Sequence, residues 1–269
     1  MSFYTSLNGM KNAQTDLGVI AHNIANVETT GFKKSRTQFA DVVAGSAFSN
    51  PRMIQGVGAT VEGITQNFAI GPTEQTGSAL DLAINGDGFF TTRSVAGQTF
   101  YTRNGSFDTD GAGYIVDGDQ NRVQGFPVDA GGVPTSNTPG DLLIPETNAV
   151  GSEFAGVTIG SDGNVTASYA DGSTTVIGKI ALATFISPTG LKQVGSSNWQ
   201  ANGMSGAASY GNPGEGRYGY FSSGALERSN VDIAEELVSL ITAQRNFQAN
   251  AKAIDTATQI SQTVINLRT

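Results

Sequence analysis

Four groups of residues in this 269-residue chain have types and spacing that could do chemistry. His22 is the only histidine, and there is no cysteine. A zinc site needs several N or S ligands, and an activated nucleophile needs a base beside it. His22 has neither companion, so it reads as a polar residue on a helix flank. Gly214-Glu-Gly216-Arg-Tyr-Gly219 spells the G-x-G-x-x-G of dinucleotide loops. That loop needs a strand before it and a helix opening inside it. Here Ala207-Ala-Ser-Tyr-Gly-Asn-Pro213 precedes it and reads as a flexible connector. The run Asp108-Thr-Asp110-Gly-Ala112-Gly113 through Asp119 has a calcium-loop outline. Ala112 stands where an oxygen ligand belongs, Asp119 replaces the bidentate glutamate, and flanking helices are missing. Acidic hairpin turns account for it. Asp81, Asp87, Asp108 and Asp162 could supply a carboxylate pair for hydrolysis, but each sits in a turn-like context without a distinguishing motif. The expectation is no catalytic residue, no cofactor, no metal and no enzyme activity.

Composition narrows the class further. Glycine supplies 35 of 269 residues, nearly double the usual ~7%, and clusters between residues 45 and 225. Short strands joined by tight turns use glycine this way. The net charge of −8 argues against a nucleic-acid surface. The largest basic cluster is only Lys33, Lys34 and Arg36. Lack of cysteine excludes disulfides and thiolate chemistry. No run approaches the ~18 apolar residues of a membrane span, and the N-terminus lacks the pattern of a cleaved secretory signal.

The elements that would carry function are at the two ends. Phe3, Leu7, Met10, Leu17, Ala21 and Ile24 recur at helical spacing, as do Ile233, Leu237, Leu240, Phe247, Ala251 and Ile254, then Ile260, Val264 and Leu267. Neither stripe can be buried by its own helix, so each needs a partner. The simplest partner is the other terminus, and the next simplest is another copy of the chain. The first helix is predicted from Ser2 to about Val27, with Gly31 as the stop signal. The last is predicted to open at Ser229-Asn230, where Asp232 and Glu235 form a capping-box pattern.

Between the helices the period changes to two. Leu80, Leu82, Ile84 and Phe89-Phe90 flank Asn85-Gly86, a hairpin signal. Asn104-Gly105, Asp162-Gly163 and Asp171-Gly172 repeat it, and Val176 to Phe185 is the strongest strand run. Residues 127–156, with four prolines, carry little strand signal. The layout is α+β: a helical segment over 1–34, a connector arm over 35–76, and an all-β domain over 77–203. A second arm spans 204–228, and the C-terminal helix covers 229–269. The two helices pair as a coiled-coil-like domain. Gly203, Gly206, Gly211, Gly214 and Gly216 are the hinge candidates.

The motifs then reach a family. Ala13-Gln-Thr-Asp-Leu17, Asn23-Ile-Ala-Asn-Val27 and Thr29-Thr-Gly-Phe-Lys33 resemble the N-terminal signature of bacterial flagellar rod and hook proteins. Ser223-Gly-Ala-Leu-Glu-Arg-Ser-Asn-Val-Asp232, Glu235-Glu-Leu-Val238 and Ala243-Gln-Arg-Asn-Phe247 resemble its C-terminal signature. Asp81-Leu-Ala-Ile-Asn-Gly-Asp-Gly-Phe-Phe90 and Tyr101-Thr-Arg-Asn-Gly-Ser-Phe107 are similar to the start of its β domain. Phe39-Ala-Asp-Val-Val43, Gly63-Ile-Thr-Gln-Asn-Phe68 and Val264-Ile-Asn-Leu-Arg268 resemble the hook branch, in a short form lacking an outer inserted β domain. The distal rod subunit is the alternative, on length.

That resemblance implies a tubular homopolymer, a flexible joint carrying torque around an export channel. Leu7, Met10, Leu17, Ile24, Leu237, Leu240, Ile241, Phe247, Ile254, Ile260, Val264 and Leu267 would be its subunit-interface positions. It further implies a distal rod protein at the proximal end, with a hook–filament junction protein and hook cap at the distal end. Export would run through the flagellar type III apparatus without a cleaved signal, to an extracellular place on the flagellum. Nucleic acid and membrane insertion play no part. The rival class is a secreted β-rich enzyme or binding module with helical ends.

Overall fold

The computed structural model describes residues 2–44, 55–129 and 131–266. The chain divides into two compact units. The first comprises Met1–Val27, Lys34–Asn67 and Val231–Thr269, and the second Glu28–Lys33 with Phe68–Asn230.

In the first unit, helix α1 (Ser2–Ala25) packs against helix α2 (Ile233–Asn266), as the paired stripes predict. Asn23 meets Glu236 near one end while Gly9 meets Asn250 further along, so the helices run antiparallel. Helix α1 stops two residues before the expected Val27, where its last turn tightens: Asn26 N–H is shared between the His22 and Asn23 carbonyls at 3.2 and 3.1 Å, and Val27 N–H reaches only to the Ile24 carbonyl. The Asn26 side-chain amide also donates to the His22 carbonyl, at 2.9 Å. Helix α2 opens at Ile233, later than the expected Ser229-Asn230, and Asp232 of the capping-box pattern caps it. The Asp232 carboxylate accepts from the N–H groups of Ala234 and Glu235, at 2.8 and 3.2 Å, filling orphan donors at the positive helix end. Further along, Thr242, Thr256, Thr258, Ser261 and Thr263 donate to carbonyls four residues back, which keeps these hydroxyls inside the helix.

Residues 35–66 correct the expectation of a connector arm. They form two long strands, β1 (Ser35–Ala44) and β2 (Gln55–Gln66), paired antiparallel from Ser35↔Gln66 to Ala44↔Gln55. Bulges fall at Gln38/Phe39 and Val42/Val43. They break the two-residue alternation that would have marked the strand in the sequence. The stretch between the strands, 45–54 of the arm expected over 35–76, lies outside the described residues.

The second unit is all-β. Its strands open with β3 (Thr73–Gln75), β4 (Leu82–Asn85), β5 (Phe89–Arg93), β6 (Thr99–Thr102), β7 (Asp108–Thr109) and β8 (Ile115–Val116). Then come β9 (Arg122–Pro127), β10 (Gly140–Asp141), β11 (Phe154–Ile159), β12 (Asn164–Tyr169), β13 (Thr174–Ile180) and β14 (Leu182–Thr184). The last are β15 (Lys192–Gly195), β16 (Asn198–Gln200), β17 (Ser209–Gly211), β18 (Tyr220–Ser223) and β19 (Ala225–Glu227). The main sheet runs β11-β12-β13-β9-β5-β6-β16-β15, with β4 paired to β18 and β3 to β19 apart from it. Residues 127–156 are irregular yet supply Leu142 and Ile144 to the core.

Alternation places two cores on opposite faces of the sheet. Phe90 and Leu182 join Ile84, Ile115, Val123, Ile180 and Phe221 on one face. Their neighbours Phe89 and Ala183 join Tyr101, Phe185 and Trp199 on the other. Asp162-Gly163 and Asp171-Gly172 do close hairpins, β11–β12 and β12–β13. Asn85-Gly86 does not: β4 pairs with β18, and β5 with β6, β9 and β14. The dipeptide instead carries the chain from one sheet to another. The arm expected over 204–228 is likewise strand-bearing, with β17, β18 and β19 paired into this unit and Phe221 and Ala225 buried. Its glycines hid three strands of only three or four residues.

Asn104-Gly105 also proves to be a crossing point. The Gly105 carbonyl accepts from Leu82 N–H at 3.0 Å. A Cβ there would collide with the Leu82 carbonyl and lie 3.0 Å from the Phe90 ring. Gly105→Ala should destabilise the protein by about 1–3 kcal/mol, the usual range for overpacking. Urea unfolding followed by Trp199 fluorescence measures this; an unchanged midpoint would mean the crossing has slack.

Candidate functional site

The first unit presents the helix surfaces. Of the twelve interface candidates, Leu7, Met10, Leu17 and Ile24 on α1 and Leu240, Phe247 and Ile254 on α2 are half-buried within the single chain. Leu237, Ile241, Ile260 and Val264 are exposed, Leu237 and Ile241 at 48% each. Leu267 lies outside the described residues. The sequence stripe therefore divides into half-buried and exposed members. Val238 and Ile265 are further exposed apolar residues of α2 and were not among the candidates.

The most buried positions of the two helices were missed as well: Ala13, Val19, Ile20 and Asn23 on α1, Glu236 and Ala243 on α2. Small residues let the backbones approach. A Cβ on Gly9 would come within 2.6 Å of the Asn250 amide oxygen. A search for large apolar residues passes over such positions. Asn23 donates to the Ser35 carbonyl at 2.8 Å and to Glu236 Oε2 at 3.1 Å, and accepts from Ser35 N–H at 2.9 Å. Lys34 pairs with Glu236 at 2.7 Å and Glu235 at 3.1 Å. Burial works to lower the Lys34 pKa, but the two glutamates outweigh it and raise the pKa above the usual lysine value. Thus α1, β1 and α2 meet in one polar knot.

The second unit contains a buried charge cluster. Lys33, Arg103 and Glu227 are each at most 3% exposed. Glu227 Oε1 accepts from Lys33 Nζ at 2.5 Å and from Gly71 N–H at 2.9 Å, while Oε2 accepts from Arg103 Nη1 at 3.2 Å. Lys33 also donates to the Ala69 carbonyl at 2.8 Å, and Arg103 to the Gly86 carbonyl at 2.9 Å. The Arg103 guanidinium lies 5.4 Å from the Phe89 ring centroid, within cation–π range. Burial pulls the pKa of Lys33 and of Arg103 below its ordinary value, with Glu227 opposing in both cases. The Glu227 carbonyl accepts from Gly31 N–H at 2.8 Å. Gly31 has φ +68° and its Cβ would sit 2.5 Å from Asn104 N, so glycine is required there.

The groups weighed for chemistry are engaged elsewhere. His22 Nδ1 faces the Asn26 amide at 3.3 Å. Asp110 and Asp117 accept from backbone N–H groups of their own turns, which fits the acidic-turn reading. Asp81 accepts from Thr76, Asp108 from Thr109 N–H and Asp162 from Asn164. After Gly214-x-Gly216-x-x-Gly219 comes strand β18, where a dinucleotide loop needs a helix. Gly214 N–H closes that turn on the Gly219 carbonyl at 2.9 Å. The five hinge glycines, Gly203, Gly206, Gly211, Gly214 and Gly216, all fall inside the second unit rather than between the units. A strand pair flanks the last of them, and the Tyr218 ring packs against Gly211. Among the described residues no three His, Cys, Asp or Glu side chains gather as a metal set, and no helix is long and apolar enough to cross a membrane.

Paired terminal helices with exposed apolar residues, together with a β unit clamped by buried charge, define a structural subunit. Three family models match it in order. Residues 3–33 match "Flagella basal body rod protein", 83–167 "Flagellar hook protein FlgE/F/G D1 domain", and 222–267 "Flagellar basal body rod FlgEFG protein C-terminal". Each matched segment contributes one member of the charge cluster. The chain is 40% identical to the flagellar basal-body rod protein FlgG of Bacillus subtilis strain 168, over 99% of this chain and 98% of that one. It is 36% identical to FlgG of Caulobacter vibrioides over 98% of both, and 27% identical to the flagellar hook protein FlgE of Escherichia coli K12 over all of both. The chain belongs to the flagellar rod and hook protein family, structural components of the bacterial flagellum.

Removing Glu227 would strand two buried cations. Glu227→Gln should cost about 3–5 kcal/mol, read as a lowered urea midpoint of the full chain. Adding Lys33→Met should recover part of that loss, since one stranded charge goes with it. A Glu227→Gln protein within about 1 kcal/mol of wild type would show that the cluster is not the clamp its bonding describes.

Proposed function

We propose that this chain is the structural subunit of a flagellar hook, polymerising through its helices into a flexible tube around an export channel. The observation that carries the reading is the exposed apolar surface of α2, Leu237, Val238 and Ile241 near its start and Ile260, Val264 and Ile265 in its last turns. Among the described residues no helix is of membrane type, so on a chain of net charge −8 such a surface gains nothing unless copies cover it. The interface positions keep their assignment in divided form. The half-buried members pair α1 with α2 within a subunit, and the exposed members join subunits. Hook is preferred over rod on the resemblance at Phe39–Val43, Gly63–Phe68 and Val264–Arg268.

A specific observation favours the second reading, a distal rod subunit. The alignment with the Bacillus rod protein takes 279 positions, close to this chain's own length, whereas that with the Escherichia hook protein takes 409. The two readings share the tube, the export route and the location on the flagellum. They differ in neighbours: a rod protein below with junction and cap proteins above for a hook, rod subunits and the hook for a rod. Neither involves catalysis, a cofactor, nucleic acid or membrane insertion.

Electron microscopy of basal bodies from a strain lacking the gene separates the readings. A complete rod without a hook is expected; a truncated rod would transfer the assignment to the rod. The interface is tested by Leu237→Asp and Ile241→Asp. Both sites are exposed in the single chain, so the melting temperature should hold while tubes fail to form, because a charge buried unpaired at a seam costs several kcal/mol. Normal tubes from either variant would place the subunit contact elsewhere.

A further inference from the structure

A cleft in the second unit is lined by Phe68, Phe89, Phe185, Arg103, Thr184 and Arg217, and has a volume of about 470 Å³. That falls within the ~300–1,000 Å³ of sites that hold small or peptide-sized guests. Its walls carry polar groups the fold leaves unused. Arg103 Nε and Thr184 Oγ1 are buried without a hydrogen-bond partner, on side chains 3% and 4% exposed. Arg217 is exposed and donates only to the Phe185 carbonyl at 3.3 Å; among the described residues it is in no ion pair. Asp87 at the rim offsets part of this charge. With Lys33 and Arg103 set against Glu227 behind the wall, positive charge still predominates. Ile186 stands on the rim, 88% exposed. Aromatic walls and an unpaired arginine fit a guest with an apolar tip and carboxylates behind it.

The same unit carries such a tip. Val150 is 85% exposed at the end of a tight turn, with Glu146 and Glu153 at its base. Neither carboxylate is in an ion pair among the described residues. The turn is held rigid. Asn148 Oδ1 accepts from Val150 and Ser152 N–H, both at 2.9 Å, and its amide donates to Asp171 at 2.7 Å and Ser173 at 2.9 Å. A rigid tip loses little entropy on docking. Other protruding apolar turns carry less acid: Val95 follows Arg93, Met204 has no acid beside it, and Val133 has the single Asp129, whose Oδ1 is taken by the Gly131 and Val133 N–H groups.

We infer that the 146–153 turn of one copy docks into the Phe68–Phe89–Phe185 cleft of the next, with Val150 on the aromatic wall and Glu146 or Glu153 on Arg217. Tip and cleft share no residue, so the contact is heterologous and propagates along an array instead of closing a two-fold dimer. This rests on the polymer reading above and adds a second, β-unit contact to the helical one.

The cysteine-free chain makes the test direct. A disulfide needs Cβ atoms about 3.5–4.5 Å apart. Tubes of a Val150→Cys, Ile186→Cys double variant should give a ladder of linked subunits on a non-reducing gel, and the dilute monomer should not. A Val95→Cys, Met204→Cys pair of equal exposure should give none. Arg217→Glu should raise the concentration needed for polymerisation several-fold, and Glu153→Lys in the same chain should restore it. Tubes that form without a ladder and without that rescue overturn the docking contact and leave the helical polymer standing. A wild-type chain that never polymerises overturns both.

Discussion

Two buried cations sharing one carboxylate constrain this molecule more than any other interaction in it. Taking Lys33, Arg103 and Glu227 out of water costs several kcal/mol per ion unless each finds close partners. Glu227 meets that condition with both carboxylate oxygens and its own carbonyl, which together receive Lys33, Arg103, Gly71 and Gly31. The donors come from segments near residues 31, 71 and 103, and the acceptor from residue 227. No local element could hold them together. The requirement that the charges meet brings the segment after α1 and the segment before α2 to the same spot in the β unit. It also explains why motifs scattered over two hundred positions of sequence are structurally one object.

The helices follow a different logic. Their mutual contact uses Ala13, Ala243 and Gly9 against Asn250, positions where the absence of a side chain is what matters. Close approach then leaves many of the larger apolar residues at the flanks, half-buried or facing out. A coiled coil built on large knobs would have buried them all and left nothing for another subunit. The closer the pairing within one chain, the more of the apolar stripe stays available for assembly between chains. Lys34 with Glu235 and Glu236 closes the polar end of this pair.

Periodicity made the helices, their pairing and the β class legible, because stripes and alternation are local properties of sequence. The N-cap at Asp232 and the hairpins at Asp162-Gly163 and Asp171-Gly172 were readable for the same reason. Asn85-Gly86 misled because a turn dipeptide reports a change of direction, not which strands then pair. The 204–228 stretch misled because strands of three or four residues do not establish a period, and glycine there serves close packing as well as turns. The hinge glycines were read from the same stretch. The charge cluster was invisible as chemistry: Lys33, Arg103 and Glu227 each look like solvated surface charges until their partners are placed. Only the family motifs pointed to them, and those motifs did not say that the three residues meet.

The hairpin β1–β2 shows how the remaining exposed surface is kept in order. Two strands alone are marginal in water, and this pair leans on α1 through Asn12 to the Ala59 carbonyl at 2.8 Å and Thr5 to the Val57 carbonyl at 3.2 Å. Among the described residues it has no third strand, so both edges carry open backbone groups. Phe39, Val42, Val43 and Ile64 face solvent on it. Exposed apolar edges invite indiscriminate pairing. The bulges at Gln38/Phe39 and Val42/Val43 twist the edge where those apolar residues sit, which denies a flat template to an arbitrary strand. An apolar surface that resists edge pairing but accepts a shaped partner is what an assembling subunit needs, since its copies must meet in one register and no other.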